Sequence, residues 1–376
     1  MAVVGIVAEY NPFHRGHAFH LAQARTLAGA DATLIVCMSG NWVQRGDCAV
    51  ADKWTRSRWA CQSGADLVVE LPTVFALASA ETFAQSAVAV LHAAGSDALS
   101  FGCEDPDLEG LQALADALDS PAFHVALRPF LAAGLAYPAA REKALAVLLG
   151  PERAALVRGP NNNLAVEYLR SLRPRGLGAL PIKRQGVHDG PLSQEYPSAS
   201  AIRQLLRDRE LDRAEAYLAQ PWTGPVYDSA RLEMAILCKL RQMTPEALAA
   251  LPDGGDGLGQ RLWKAVQEAG DLAQLYDLTK TRRHTLSRIR RLTLWAGLGL
   301  TQRPEGPEYL RVLAMTGRGA AHLADIKETC PLPILTKSAD HKELLATEAR
   351  LTDLFSLCAP RPLPCGQEWR SSPAVV

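Results

Sequence analysis

The sequence lacks any CxxC pair and any Cys/His spacing of the zinc type; its eight cysteines, Cys37, Cys48, Cys61, Cys103, Cys238, Cys330, Cys358 and Cys365, are scattered singly along 376 residues. Scattered cysteines make neither a disulfide framework nor a metal knuckle, so we expect reduced thiols, no metal role and a cytoplasmic location. An excess of one charge sign is missing too, since 40 Lys and Arg balance 40 Asp and Glu. Any nucleic-acid or membrane contact must then be a local patch. No apolar run reaches the roughly 18 residues of a membrane span, and the N-terminus has no basic leader region. A soluble protein is expected. The familiar phosphate loops are absent as well: there is no GxxxxGK[ST], and no GxGxxG follows a strand.

What is present reads first as alternation. Short apolar runs at 3–7, 33–38, 67–71 and 98–101 are separated by stretches with helical spacing such as 75–94. That pattern predicts an α/β fold with a parallel sheet and helical crossovers. A Gly/Pro-rich stretch at 176–181 marks a further boundary. The second half changes character, with helix-like segments at 205–218, 231–241, 261–276 and 285–298 and loops at 252–259 and 302–307. We expect a domain change near residue 215, a mainly α-helical C-terminal domain, and a loose Pro/Ser-rich tail over the last dozen residues. No internal repeat is visible.

The chain has nine histidines and places His14, His17 and His20 within its first twenty residues, in VVGIVAEYNPFHRGHAFHLAQAR. The run 3–7 is short enough to be a buried strand, and Gly16 lies where the chain would turn into a helix beginning near His17. In a doubly wound sheet, ligands sit at the carboxyl ends of strands, where helix N-termini present free N–H groups to phosphate. His14 and His17 would face such an anion, and Gly16 would let it approach the backbone. The same pair could equally be surface or N-cap histidines with no ligand. Spacing alone does not choose.

The strings around them do. His14-Arg15-Gly16-His17 resembles the HxGH signature of nucleotidyltransferases. The longer stretches GIVAEYNPFHRGH, MSGNWVQRGD, DKW, GADLVVELP, LSFGCED, PNNNLAVEYL, IKRQGVHD and SASAIR, with TRRHTLSRIRRL, YLRVLAMTGRGAAHL and LPILTKS in the second half, resemble the bacterial tRNA(Met) cytidine acetate ligase family. The resemblance spans nearly the whole chain. It implies a Rossmann-like, HUP-type ATP-binding catalytic domain over 1–215 and a helical, tRNA-binding domain over 216–376. It also implies a reaction: ATP, with its Mg²⁺, converts acetate to acetyl-adenylate with loss of pyrophosphate, and the acetyl group passes to N4 of the wobble cytidine (C34) of elongator tRNA(Met). The order is chemically sensible, because free acetate is a poor electrophile and the delocalised cytosine amine a poor nucleophile.

Site residues follow from the resemblance. His14 and His17 would act as donors to the α/β-phosphates. ATP would be wrapped by Val7, Ala8, Glu9, Tyr10, Asn11, Pro12, Phe13, His14, Arg15, Gly16, His17, Ala18, Phe19 and His20. Gly102 would allow close approach, Asn161 and Asn162 would bind ribose or base, and Lys183 and Arg184 would supply charge. Ser198 and Ser200 would face the β/γ-phosphates from a helix N-terminus. Taken singly, each has a plainer reading as a turn, loop or cap.

Other features carry less. Residues 39–47 could line an acetate or cytidine pocket or form an ordinary loop. Trp42, Trp54 and Trp59 could stack a base or pack in a core. His188-Asp189 could be an orienting pair or a turn. In KTRRHTLSRIRRL, the charges Lys280, Arg282, Arg283, Arg288 and Arg291 could meet tRNA phosphates, with Leu286, Ile289 and Leu292 packed inward. That strip is expected to lie apart from the ATP site. Two other functions fit parts of the pattern: an HxGH adenylyltransferase acting on a small molecule, and a non-enzymatic tRNA-binding protein that keeps a nucleotide pocket.

Overall fold

In a computed structural model that describes residues 2–185 and 197–376, each of the four apolar runs is a strand. The strands are β1 Val3–Ala8, β2 Thr33–Ser39, β3 Trp42–Val43, β4 Asp47–Cys48, β5 Leu67–Leu71, β6 Ala98–Cys103, β7 Gly178–Lys183, β8 Leu310–Met315, β9 Ile334–Leu335 and β10 Ala374–Val375. The main sheet runs β10-β8-β5-β2-β1-β6-β7, with β9 beside β8. All neighbours are parallel except β5 and β8. β3 and β4 form a separate antiparallel hairpin.

Every residue of β2 and of β5 is buried, as continuous apolar runs in a sheet covered on both faces must be. Side chains alternate between the faces. Ile35 and Cys37 pack under the Ala80–Ala93 and Pro160–Leu172 helices, while Leu34, Val36 and Met38 pack against the Arg15–Ala28 and Lys53–Gln62 helices. Strand order reverses between β1 and β6, so the crevice for a ligand opens at their carboxyl ends.

Several expectations change on folding. The boundary expected at 176–181 falls inside an element, since Gly178 and Pro181 lie within β7, an edge strand where the missing proline N–H breaks no ladder. The segment 205–218 breaks after Arg207, where Arg209 takes a left-handed φ of 64°, and 261–276 breaks around Gly270. Among the described residues, 216–300 is free of strands, yet β8, β9 and β10 lie beyond residue 300, and β8 and β10 extend the same sheet as β1.

The tail is not loose. β10 pairs with β8, and Glu368 is fully buried, its Oε2 2.8 Å from Lys53 Nζ. Lys53 also meets Glu70 at 2.7 and 2.8 Å. Arg311 lies 3.6 Å from Glu368, and Glu348 accepts from the Thr73 backbone and hydroxyl, each at 2.7 Å. These five charges form a core cluster joining the C-terminal segment to the Lys53–Gln62 helix and β5. The expectation failed because a short Pro/Ser-rich stretch looks solvated when its buried partners are three hundred residues away.

Candidate active site

The HRGH stretch lies where β1 hands over to the Arg15–Ala28 helix. His14 is the N-cap, with extended backbone, and His17 is the third helical residue. The Gly16 N–H donates to His14 Nδ1 at 3.1 Å, and the His14 N–H donates to His17 Nδ1 at 3.3 Å. This is a capping box built from imidazoles instead of the usual Ser and Glu. The two rings stack at 3.7 Å between centroids. Burial first, then the nearby Arg184 and Arg203, holds His14 down to about 3. Burial and the adjacent His14 lower His17 well below its ordinary range. Both rings are therefore neutral at physiological pH. Since each Nδ1 accepts a backbone N–H, each ring carries its proton on Nε2, as a donor.

His20 is fixed otherwise. Its Nε2 lies 2.9 Å from Ser100 Oγ on β6, and burial, with Arg184, lowers it to about 4. It ties the helix across the strand-order reversal.

A cleft of about 1400 Å³ opens above these groups. Of the expected ATP residues, Val7, Ala8, Glu9, Tyr10, Asn11, His14, Gly16, His17, Phe19, His20, Gly102, Asn161, Lys183, Arg184 and Ser200 line it. Pro12, Phe13, Arg15, Ala18, Asn162 and Ser198 do not. Phe13 and Ala18 pack into the core, and Arg15 uses its backbone N–H on the Tyr217 carbonyl. Asn162 is buried and accepts from the Glu104 and Asp105 N–H groups, pinning the loop after β6. Asn161 faces the cleft, donating its side-chain amide to Glu104 at 2.5 Å and accepting from Arg184 at 2.7 Å. A Cβ on Gly102 would stand 3.0 Å from Arg184 Cγ, so the bare backbone leaves room for that arginine's stem. Ser198 caps the Ala199–Arg207 helix by accepting from Ala201 N–H, and Ser200 accepts from Arg203 at 2.9 Å. His188 and Asp189 lie outside the described residues.

Arg203 lines the cleft and donates to the Asn11 carbonyl at 2.7 Å, anchoring the loop before His14. Nothing in the sequence separates it from the rest of SASAIR, which ends on it. Gln44 and Arg45, at the tip of the β3–β4 hairpin, also reach the cleft. Trp42, Trp54 and Trp59 do not line it. Trp42 is fully buried, bonded to the Leu351 carbonyl, and Trp59 packs on Trp222. Trp42 and Trp59 are core residues and Trp54 is half-buried against the same core, so none of the three is placed to stack a base in the cleft.

The basic strip forms the Leu286–Gly297 helix and its lead-in, with Thr285 as N-cap. Ile289 and Leu292 are buried, as the apolar stripe requires. The charges are not free, however. Arg291 Nε lies 2.6 Å from Asp253 Oδ2, Arg288 holds the Asp253 and Gly255 carbonyls at 3.1 Å, and Arg283 lies 3.7 Å from Asp256. Nor is the strip apart from the histidines. Arg283, Arg288, Arg290 and Arg291 line the same cleft, Arg290 lying 5.5 Å over the Tyr276 ring, while Lys280 and Arg282 stay outside it. The contact is made through the hairpin tip: a Cβ on Gly46, whose φ is 75°, would fall 2.6 Å from the backbone of Arg290 and Arg291.

Among the described residues, no three His, Cys, Asp or Glu side chains converge as a metal site, and no helix is long and apolar enough to cross a membrane.

Known proteins are similar to this chain in sequence and fold. A family model described as HIGH Nucleotidyl Transferase matches residues 1–368. The tRNA(Met) cytidine acetate ligase of Thermoanaerobacter sp. (strain X514) is 37% identical, over 95% of this chain and 94% of that protein. The protein of the same name from Syntrophomonas wolfei is 35% identical over 99% of both. The crystal structure of Thermotoga maritima TmcAL bound with alpha-thio ATP superposes with a TM-score of 0.91 at 29% identity, covering all of both chains. The chain belongs to the HIGH nucleotidyltransferases and, within them, to the tRNA(Met) cytidine acetate ligase family.

Proposed function

We propose that the protein is an ATP-dependent ligase that activates acetate as acetyl-adenylate, releases pyrophosphate, and acetylates N4 of the wobble cytidine (C34) of elongator tRNA(Met). The observation that carries this reading is the pair of neutral, stacked histidines at a helix N-terminus, at the carboxyl end of β1 and near Arg184 and Arg203. Charge grows on the α- and β-phosphate oxygens as acetate attacks phosphorus and pyrophosphate leaves. Preformed N–H donors and a helix dipole stabilise that charge without first losing a proton. Neutral donors suit the task better than acids would, because they remain donors throughout turnover.

Lys183, the last residue of β7, Arg184 just beyond it, and Arg203, behind Ser200, supply the cationic surroundings of the triphosphate. Asn161 supports Arg184 and presents its amide to the ribose side of the nucleotide. Mg²⁺ travels with ATP as part of the substrate, held by the phosphates. The tRNA lies along the Leu286–Gly297 helix, where Arg283 and Arg290 meet its phosphates and the 216–300 region provides the surface. Such a protein works in the cytoplasm, where its tRNA is.

The test is mass spectrometry of nucleosides from tRNA incubated with the enzyme, ATP, Mg²⁺ and isotopically labelled acetate, alongside acetate-dependent pyrophosphate exchange. Labelled N4-acetylcytidine is the expected product. Exchange without any acetylated nucleoside would reassign the enzyme to a small-molecule substrate, and binding with neither would make it a non-catalytic tRNA binder.

A further inference from the structure

Six carboxylates line the cleft among the described residues, and five of them are paired with arginines. Glu81, Asp119 and Glu167 meet Arg170, while Asp253 and Asp256 meet Arg288 and its neighbours. The sixth, Glu9, has no lysine or arginine nitrogen within the 4.0 Å of an ion pair among the described residues. It is nevertheless held firmly. Its Oε1 accepts the Gln44 N–H at 2.7 Å, and its own carbonyl accepts from Arg56 at 2.5 Å. A carboxylate oriented in this way by one oxygen keeps the other for a ligand.

Position narrows the choice of ligand. Glu9 is the first residue after β1 and the neighbour of Tyr10, whose ring lies 4.9 Å from that of His17. Through Gln44 it is bonded to the hairpin whose tip rests on Arg290 and Arg291. It therefore stands between the phosphate-facing histidines and the strip. Acetate and triphosphate present only acceptors to it, which a carboxylate repels, and the donors of the nucleotide, its ribose hydroxyls and adenine amine, keep their hydrogens throughout the reaction. The reaction brings in one group that must give up hydrogen, the N4 amine of cytosine.

Resting on the function proposed above, we propose that Glu9 accepts a hydrogen bond from N4 of the target cytidine and takes that proton as the acetyl group is transferred. The N4 lone pair attacks the acetyl carbonyl carbon of acetyl-adenylate. The carbonyl carbon to phosphate oxygen bond breaks, AMP leaves with that electron pair, and one N4 proton passes to the carboxylate. Uracil presents a carbonyl oxygen at the same place, so the carboxylate that welcomes cytosine also rejects uridine.

The test uses the full-length enzyme carrying Glu9→Gln, with Glu9→Asp as the conservative companion. The Gln amide oxygen can still accept from Gln44 N–H and from N4, but it takes no proton at neutral pH. Single-turnover acetyl transfer from preformed acetyl-adenylate to tRNA(Met) should fall by roughly 10²- to 10⁴-fold, the range for a lost general base. Acetate-dependent pyrophosphate exchange should fall at least tenfold less than transfer does, tRNA affinity should stay within a few-fold, and Glu9→Asp should recover part of the transfer rate. Equal losses in exchange and transfer would place Glu9 on the nucleotide or its metal, and wild-type transfer by Glu9→Gln would remove it from the chemistry; either overturns the proposal. Wild-type enzyme that makes no acetylcytidine would instead overturn the function on which it rests.

Discussion

Replacing Lys53 by Met strikes the five-charge cluster at its centre. Met matches the lysine stem in length and flexibility, so the perturbation is chiefly the loss of charge. Lys53 Nζ contacts both oxygens of Glu70 and one of Glu368, all without solvent exposure. Without it, Arg311 beside Glu368 and the more distant Arg56 face three buried carboxylates. Removing one partner of a buried pair typically costs about 3–5 kcal/mol. At an unfolding entropy of about 2.1 cal/mol/K per residue, 376 residues lose about 5 °C of Tm for 4 kcal/mol. The loss should depend on pH. Burial already pushes Glu70 up to about 7 from a reference of 4.5, with Lys53 partly opposing it. Taking Lys53 away raises the folded-state value further. A carboxyl whose folded pKa is raised gains stability as pH falls from above that value toward 4.5, since the native state binds the extra proton. The wild type has less to gain, so the Tm gap should be wider at pH 8 than at pH 6. Differential scanning calorimetry at the two pH values decides the matter. A Tm change below 2 °C, or a gap independent of pH, would refute the view that Lys53 holds these carboxylates ionised. Neutralising the partners as well, in K53M/E70Q/E368Q, should restore much of the loss.

His14→Ala and His17→Ala should each lower acetate-dependent pyrophosphate exchange by roughly 10²- to 10³-fold, with a stability cost of about 1 kcal/mol for the broken cap; undiminished exchange in either variant removes that histidine from the site. Gly46→Ala puts a Cβ 2.6 Å from the backbone of the strip helix and must lift the hairpin. A displacement of about 1 Å at reacting groups can cost 10²-fold, so tRNA acetylation should suffer more than exchange, and equal effects would show that the hairpin serves only the nucleotide. Arg283→Glu and Arg290→Glu should weaken tRNA binding and reduce its salt slope by roughly 0.7 to 0.9 per lost contact, read by filter binding across salt concentrations. Arg291→Glu, which sets like charges at Asp253, should instead lower Tm, and a slope change without a Tm change at that position would reverse the assignment.

The central strands were legible because β2 and β5 are buried on both faces and read as unbroken apolar runs. The fold class followed from them, and the site from HRGH, whose residues are contiguous. β8 is not legible as a strand because LRVLAM stands alone after a run of helix-like segments and finds its partner, β5, far away in sequence. The charges of Arg288 and Arg291 looked available because no acid interrupts their own thirteen residues, while Asp253 and Asp256 arrive from a loop some thirty-five positions upstream. Ser39 to Asp47 fits a pocket wall and an ordinary loop equally well in sequence, and the fold makes it partly each: the hairpin tip reaches the cleft and its tryptophan is buried. Glu9 stood within the expected nucleotide loop, but nothing local separates it from its neighbours. Its distinction is that no lysine or arginine among the described residues pairs with it, which only three-dimensional proximity defines.

The antiparallel pairing of β5 with β8 has a consequence during synthesis. About 240 residues separate the end of one strand from the start of the other, so at ribosomal rates of 5–20 residues per second the outer edge of β5 waits roughly 12 to 50 s for its cover. An open LVVEL edge is a template for pairing with another nascent chain. Glu70 interrupts that apolar pentamer with a charge, and its eventual companion Glu368 is made later still. The carboxylate that looks costly in the finished core thus acts as a gatekeeper while the chain is incomplete, keeping the edge soluble until β8 arrives to close it.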